Sequence, residues 1–421
     1  MFEKVESYPM EGQSKRMNRQ AMRSTHRFSS RPAELTLANW RHPPFNRWAF
    51  RHVREIVPTV EVKAGAPMPS PASHRLSSLE RSFPLDGDSS INLEEFLLSS
   101  DVDGIVVLRE GRTVFEWYDG GFGPGMPHLA FSVSKSICGA VCGILEDQGY
   151  FSSSDAVTDY LPELRGSAYS DCLIQHALDM SVAVAFDEDY SDPRGDCARY
   201  RVASGWDPAT EFFHERSTKS LLTALRSNGD RHGETFHYVS PNTDLLGWLC
   251  ERVTGLSYGE VLSQYLWTPM GAEHGASVTV DGEGISRAAG GISLSVRDLA
   301  RFGEMIRNGG LVERDQVVPK WWIDETRKNG NSVAWSRGGP NPLSELFPTA
   351  VYRNKWFNVG KSVLFALGIH GQGLYIDHES QVVIARVSSR SIPADLENEK
   401  LWTKVYQHLA LVFGELRPAQ R

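Results

Sequence analysis

Ser132 and Lys135 lie in the stretch Phe131-Ser132-Val133-Ser134-Lys135-Ser136, at the head of an apolar helical run. A serine followed three residues later by a lysine brings both side chains to one helix face. There the amine can take or relay the hydroxyl proton, and the helix N-terminus favours the negative charge that develops; this is what a serine nucleophile needs. Alone the pattern is weak, since about one Ser-x-x-Lys is expected by chance in a chain of this length. It fits a helix-capping serine with a solvated lysine one turn on equally well. Two further pieces add chemistry. In Phe236-His237-Tyr238-Val239-Ser240-Pro241-Asn242 a phenol beside an ammonium ionises more easily and can act as a base, and Asn242 can orient a substrate amide or hold the lysine. In Gly368-Ile369-His370-Gly371-Gln372-Gly373, just before Leu374-Tyr375-Ile376, glycines beside a strand let backbone N–H groups approach a ligand. Such an N–H completes an oxyanion hole with that of Ser132.

These residues need elements that hold them. Val133, Ile137, Val141, Ile144 and Leu145 recur at helical spacing, and Gly149 ends the run. Upstream, Gly104 to Leu108 and Thr113 to Tyr118 read as two strands around the turn Arg109-Glu110-Gly111-Arg112, followed by a Gly/Pro-rich loop. Strands near 364–369, 373–377 and 381–388 complete one α/β unit, with an amphipathic helix from Lys400 to Leu411 packed on it. The region from about 150 to 285 reads as mostly helical: Ile174 to Met180, Thr218 to Arg226, Thr243 to Val253 and Tyr258 to Leu266.

Together, in this order and at these separations, the three pieces resemble the serine β-lactamase and penicillin-binding protein superfamily, and within it the class C-like branch of esterases and aminohexanoate-dimer hydrolases. Leu37-Ala38-Asn39-Trp40, Pro43 to Phe50, Asp187 to Pro193, Ser240 to Asp244, Gly290 to Ser293 and Arg297 to Arg301 carry the narrower likeness, which runs from about Leu35 to Leu411. The resemblance implies a β-lactamase-like fold, α/β plus α: an antiparallel sheet flanked by helices, with a mostly helical subdomain inserted. It implies residues 35–149 and 286–421 as the α/β subdomain, 150–285 as the helical one, and a site in the crevice between them. It further implies Ser132 as acylated nucleophile, Lys135 as its amine partner and Tyr238 as proton shuttle. The N–H groups of Ser132 and Ile369 would form the oxyanion hole, and Tyr190 would contact the scissile bond.

Departures from the family pattern bear on the substrate. The third motif reads His370-Gly371-Gln372 where most β-lactamases carry Lys-Thr-Gly, so a residue mostly neutral at pH 7 replaces a cation; this argues against efficient β-lactam turnover. Arg201 stands where dimer-cleaving relatives can carry an acid, and Ala289 where a relative can offer a polar side chain. Arg201 suggests a substrate with a carboxylate rather than an ammonium. Tyr190, Arg201, Trp206, Trp356, His370 and Asn242 are the candidates for the pocket wall. The expected activity is hydrolysis of a small linear amide or ester through a Ser132 acyl-enzyme. The alternatives are a β-lactamase or D,D-peptidase-like enzyme, and a non-catalytic binding protein on the same fold.

Length and composition set the bounds. The chain has 421 residues, enough for a large core and more than one unit, and its composition is that of a globular enzyme. A net charge of −8 argues against nucleic acid as a partner, and no apolar run reaches membrane-spanning length. The start lacks the apolar core of a secretory signal, and the five cysteines are an odd set without Cys-x-x-Cys. These features place the protein in the cytoplasm. The first 34 residues read as a tail, basic from Lys15 to Arg31, and Ala64 to Ser73 as a loop. No metal motif or cofactor motif is present. A homodimer is a family-level expectation only.

Overall fold

The computed structural model describes residues 30–67, 82–84, 90–339, 342–360 and 362–415. Nearly all of the basic tail and most of the Ala64 to Ser73 loop lie outside them. The main strands are β1 (Thr59–Val62), β2 (Val102–Arg109), β3 (Arg112–Tyr118), β4 (Pro127–Leu129), β5 (Ala276–Thr279), β6 (Ile292–Ser295), β7 (Val351–Arg353), β8 (Trp356–Val359), β9 (Val363–Gly368), β10 (Gln372–Asp377) and β11 (Val382–Ser388). Seven of them form an antiparallel sheet in the order β7-β8-β9-β10-β11-β2-β3. Its first hairpin turns through Glu110 and Gly111, both at positive φ, which matches the right-handed strand twist.

Side-chain alternation explains the layers. On β2, Ile105 and Val107 face one core while Val106 and Leu108 face the other. The first face is covered by the C-terminal helix Leu396–Gly414, through Trp402, Val405, Tyr406, Leu409 and Phe413, spaced three and four apart. That helix is longer than the spacing predicts because Asp395 caps it one turn earlier. Against the second face pack Val296–Arg307 and the helix that follows Ser132, Ser134–Asp147. In the latter every residue from Ser134 to Leu145 is buried, so the apolar face extends all round.

The region between is helical but more broken than expected. Its helices span Ile174–Leu178, Asp196–Ala203, Thr218–Ala224, Pro241–Thr254 and Tyr258–Leu262, joined by long loops at 179–195, 205–217 and 226–240. One element had no counterpart in the sequence patterns: a second antiparallel sheet, β1-β5-β6-β4. It ties the N-terminal segment to residues on both sides of position 285. Among the described residues no helix is long and apolar enough to cross a membrane.

Asp103 on β2 locks the N-terminal segment against the sheet. Its buried carboxylate meets Arg51 and Arg47 from the segment around helix Asn46–Ala49, His128 on β4 (3.1 Å) and the Ser389 hydroxyl past β11. The two guanidiniums hold it far below the ordinary carboxylate range against the opposing effect of burial. Removing it would strand buried cations. Asp103→Ala is therefore expected to cost about 3–5 kcal/mol in urea unfolding; a loss below about 1 kcal/mol would remove this network as the anchor.

Candidate active site

Ser132 sits in a tight 3-10 turn, Phe131–Val133, that leads into the buried helix. Phe131 is held at φ +46, a strained conformation for a bulky residue, and its ring is boxed in by Phe50, Trp206 and His370. The turn presents the Ser132 hydroxyl to a cleft while Lys135 lies fully buried behind it. Lys135 Nζ donates to Ser132 Oγ at 2.8 Å and to the carbonyl of Ala289 at 2.9 Å. Ala289 is fixed in turn, since its N–H donates to Asp244 Oδ1 at 2.8 Å from the helix Pro241–Thr254. Burial drives the Lys135 ammonium down to about 8; Glu188 and Asp244 oppose the shift and Arg287 adds to it. A lysine so placed is partly neutral near neutral pH and has its serine within reach.

Tyr238 comes from the extended stretch before Pro241. That stretch is pinned by His237 N–H to the Met180 carbonyl (2.7 Å) and Phe236 N–H to the Ala334 carbonyl (2.8 Å). The ring packs beside Tyr352 and Phe357, with Lys135 Nζ 5.1 Å from its centroid. The expected easy ionisation is not found: burial raises the phenol well above its ordinary value, and the neighbouring Ser132 hydroxyl only partly reverses this. The buried phenol therefore stays protonated at rest, and Lys135, which lies over its ring face, is the one of the two that can be unprotonated and accept a proton near neutral pH.

Ile369 begins the turn between β9 and β10. The N–H groups of Ser132 and Ile369 donate to no other protein group among the described residues. Gly368 allows the approach: a Cβ there would lie 2.8 Å from the Ala130 carbonyl oxygen, next to the nucleophile turn. Two free donors beside a hydroxyl are the groups an oxyanion hole requires. His370 follows at φ +61, buried, its Nδ1 2.7 Å from the Arg390 carbonyl, with burial lowering it to about 3. It is a neutral wall of the cleft.

Tyr190, Arg201, Trp206 and His370 all line this cleft, as the sequence suggests. Tyr190 donates to Glu188 Oε1 at 2.7 Å. Arg201 Nε donates to Asp207 Oδ2 at 2.8 Å, and Trp206 packs against Trp40 and Phe131. Two candidates are corrected. Asn242 does not face the cleft: it is buried, accepting from the Tyr169 hydroxyl at 3.0 Å, with its amide nitrogen 3.8 Å from Met180 Sδ. Its place in the first turn of a buried helix turns it into the core. Trp356 is buried in the core, stacked on Phe302, because the alternation of β8 points it at the helical layer. Glu188 and Arg287 are among the cleft residues given no role from sequence. Glu188 accepts from the Ser240 N–H (2.9 Å) and hydroxyl, putting a carboxylate at a helix N-terminus. Arg287 lies over the Tyr200 and Trp206 rings. The only sequence signal for either was proximity, Glu188 within the Asp187 to Pro193 segment and Arg287 two residues before Ala289.

Comparison with known proteins bears on the same geometry. The β-lactamase family model matches residues 100–407, which include Ser132, Lys135, Tyr238 and Ile369. The chain belongs to the β-lactamase family. A 6-aminohexanoate-dimer hydrolase from Paenarthrobacter ureafaciens is 38% identical over 365 residues, 85% of this chain and 88% of that protein. The structure superposes on a Bacillus anthracis protein provisionally assigned as a 6-aminohexanoate-dimer hydrolase, with a TM-score of 0.83 and 24% identity, over 93% of this chain and 100% of the other. A family VIII carboxylesterase matches at a TM-score of 0.54 and 13% identity, covering 75% and 94%. This β-lactamase-family chain is thus a serine hydrolase, with the fold its motifs implied.

Proposed function

We propose that this enzyme cleaves a small linear amide or ester through an acyl-enzyme on Ser132. The observation that carries the proposal is the Lys135 ammonium: buried, lowered to about 8 and 2.8 Å from the Ser132 hydroxyl. Neutral Lys135 takes the Ser132 proton as Oγ attacks the carbonyl carbon. The oxyanion forms against the N–H groups of Ser132 and Ile369. Tyr238, protonated at rest, gives its proton to the leaving nitrogen or oxygen and is reprotonated from Lys135. Water, activated by the same pair, then releases the acid and frees Ser132. The kinship with a 6-aminohexanoate-dimer hydrolase supports a linear, flexible amide as one substrate shape.

A β-lactamase role is the weaker reading, because His370 is a buried neutral imidazole where a substrate carboxylate would need a cation. The five cysteines, all buried free thiols, support our placing the enzyme in the cytoplasm. The test is a panel of short p-nitrophenyl esters, the aminohexanoate dimer and a chromogenic cephalosporin. Turnover of an ester or linear amide with at most slow acylation by the cephalosporin is expected. Cephalosporin turnover exceeding that of every linear substrate would reverse the choice.

A further inference from the structure

Three guanidiniums, those of Arg41, Arg201 and Arg287, line the cleft that holds Ser132. Two share one carboxylate, since Asp207 meets Arg41 at 2.6 Å and Arg201 at 2.8 Å. Arg287 forms no ion pair among the described residues. It is 8% exposed, Nη1 donates to the Ser204 hydroxyl at 2.7 Å, and its buried Nε has no partner. Its guanidinium carbon lies 3.7 Å from the Trp206 ring centroid and 4.4 Å from that of Tyr200. Asp244, bonded to the Tyr200 hydroxyl and the Ala289 N–H, lies near enough for Arg287 to favour its ionised form but makes no hydrogen bond to the guanidinium, and Glu188 is bonded to Ser240 and Tyr190. The aromatic faces and the Asp244 charge offset part of the cost of burying this cation, but a guanidinium with no direct carboxylate contact and an unmet N–H gains from an anion that a ligand supplies. Arg287 is also two residues from Ala289, whose carbonyl holds Lys135, so an anion on Arg287 would lie within a short substrate's length of the nucleophile.

We propose that Arg287 seats a substrate carboxylate, and that the enzyme selects linear esters or amides that carry a free carboxylate. This deepens the acyl-enzyme reading and rests on it. Arg287 is a specificity residue, distinct from Arg201, whose guanidinium is held by Asp207 together with that of Arg41. The test compares kcat/KM for esters with a carboxylate on the acyl or the leaving part against neutral and ammonium esters of the same length. Wild type should favour one carboxylate series over its neutral counterpart by about 10- to 100-fold, the range of a charge-assisted bond. Arg287→Met should collapse that ratio through KM, and Arg287→Lys should keep part of it. A second measurement needs no variant: adipate should inhibit wild type competitively, more strongly than hexylamine, with relief by salt. Equal turnover of acid and neutral esters by wild type, or a preference that survives Arg287→Met, would overturn the assignment of Arg287 while leaving the acyl-enzyme intact. Failure to turn over even neutral esters would instead defeat the acyl-enzyme reading and this inference with it.

Discussion

Ser132→Ala is expected to lower hydrolysis of the best ester in the panel by roughly 10⁴- to 10⁶-fold, leaving only what oriented binding provides. The size follows from the arrangement. In the proposed mechanism Lys135 acts on the Ser132 oxygen, the two N–H donors on the oxyanion its attack creates and Tyr238 on the leaving group, and none of them can replace the nucleophile. The change removes one half-buried oxygen, so stability should move by less than about 1 kcal/mol. Purified variant and wild type assayed at equal, fully folded concentration give the answer. A variant that keeps a hundredth of the activity would mean that water, not Ser132, attacks the carbonyl.

Lys135→Met should be nearly as damaging, by about 10²- to 10⁴-fold in kcat/KM, the range for a positioned general base. It should also change the pH profile. In the proposed mechanism the neutral amine is the active form, and burial lowers its ionisation to about 8. Below that value the amine is protonated and cannot accept from Ser132, so kcat/KM should rise with pH through about 8 and level off above it. Methionine fills a similar volume without the amine, so the variant should fold and lose this limb. A pH series of kcat/KM from 6 to 10, corrected for spontaneous hydrolysis, decides it. A variant that retains the limb would transfer the titration to another group, the buried Lys355 being the next to examine because burial lowers it to about 7.

How much of this was legible in the sequence depends on the range of the forces involved. Ser132 and Lys135 share a helix turn, so their meeting is local geometry and could be read directly. The alternation of β2 and the spacing of Trp402, Val405, Tyr406 and Leu409 likewise encode their own burial. The second sheet was hidden because its strands are three or four residues long, too short for a period to show. Asn242 and Trp356 have residue types suited to a pocket, but which side of an element faces the cleft is decided by packing partners distant in sequence. Tyr238 shows the same limit in its chemistry. Its neighbour Lys135 was foreseeable, whereas the burial that raises the phenol and lowers the lysine arises only when the layers close. Arg287 and Glu188 acquire meaning from what they lack or hold across the cleft, which no spacing records.

The most direct test of the central claim is covalent capture. Wild type is incubated with a fluorophosphonate and, separately, with a slowly deacylating p-nitrophenyl ester, then analysed by intact and peptide mass spectrometry. The acyl-enzyme account predicts one adduct per chain, located at Ser132 in the peptide containing Phe131 to Lys135, and none in Ser132→Ala. Ester turnover with no adduct at Ser132, or with the adduct on another residue, would contradict it.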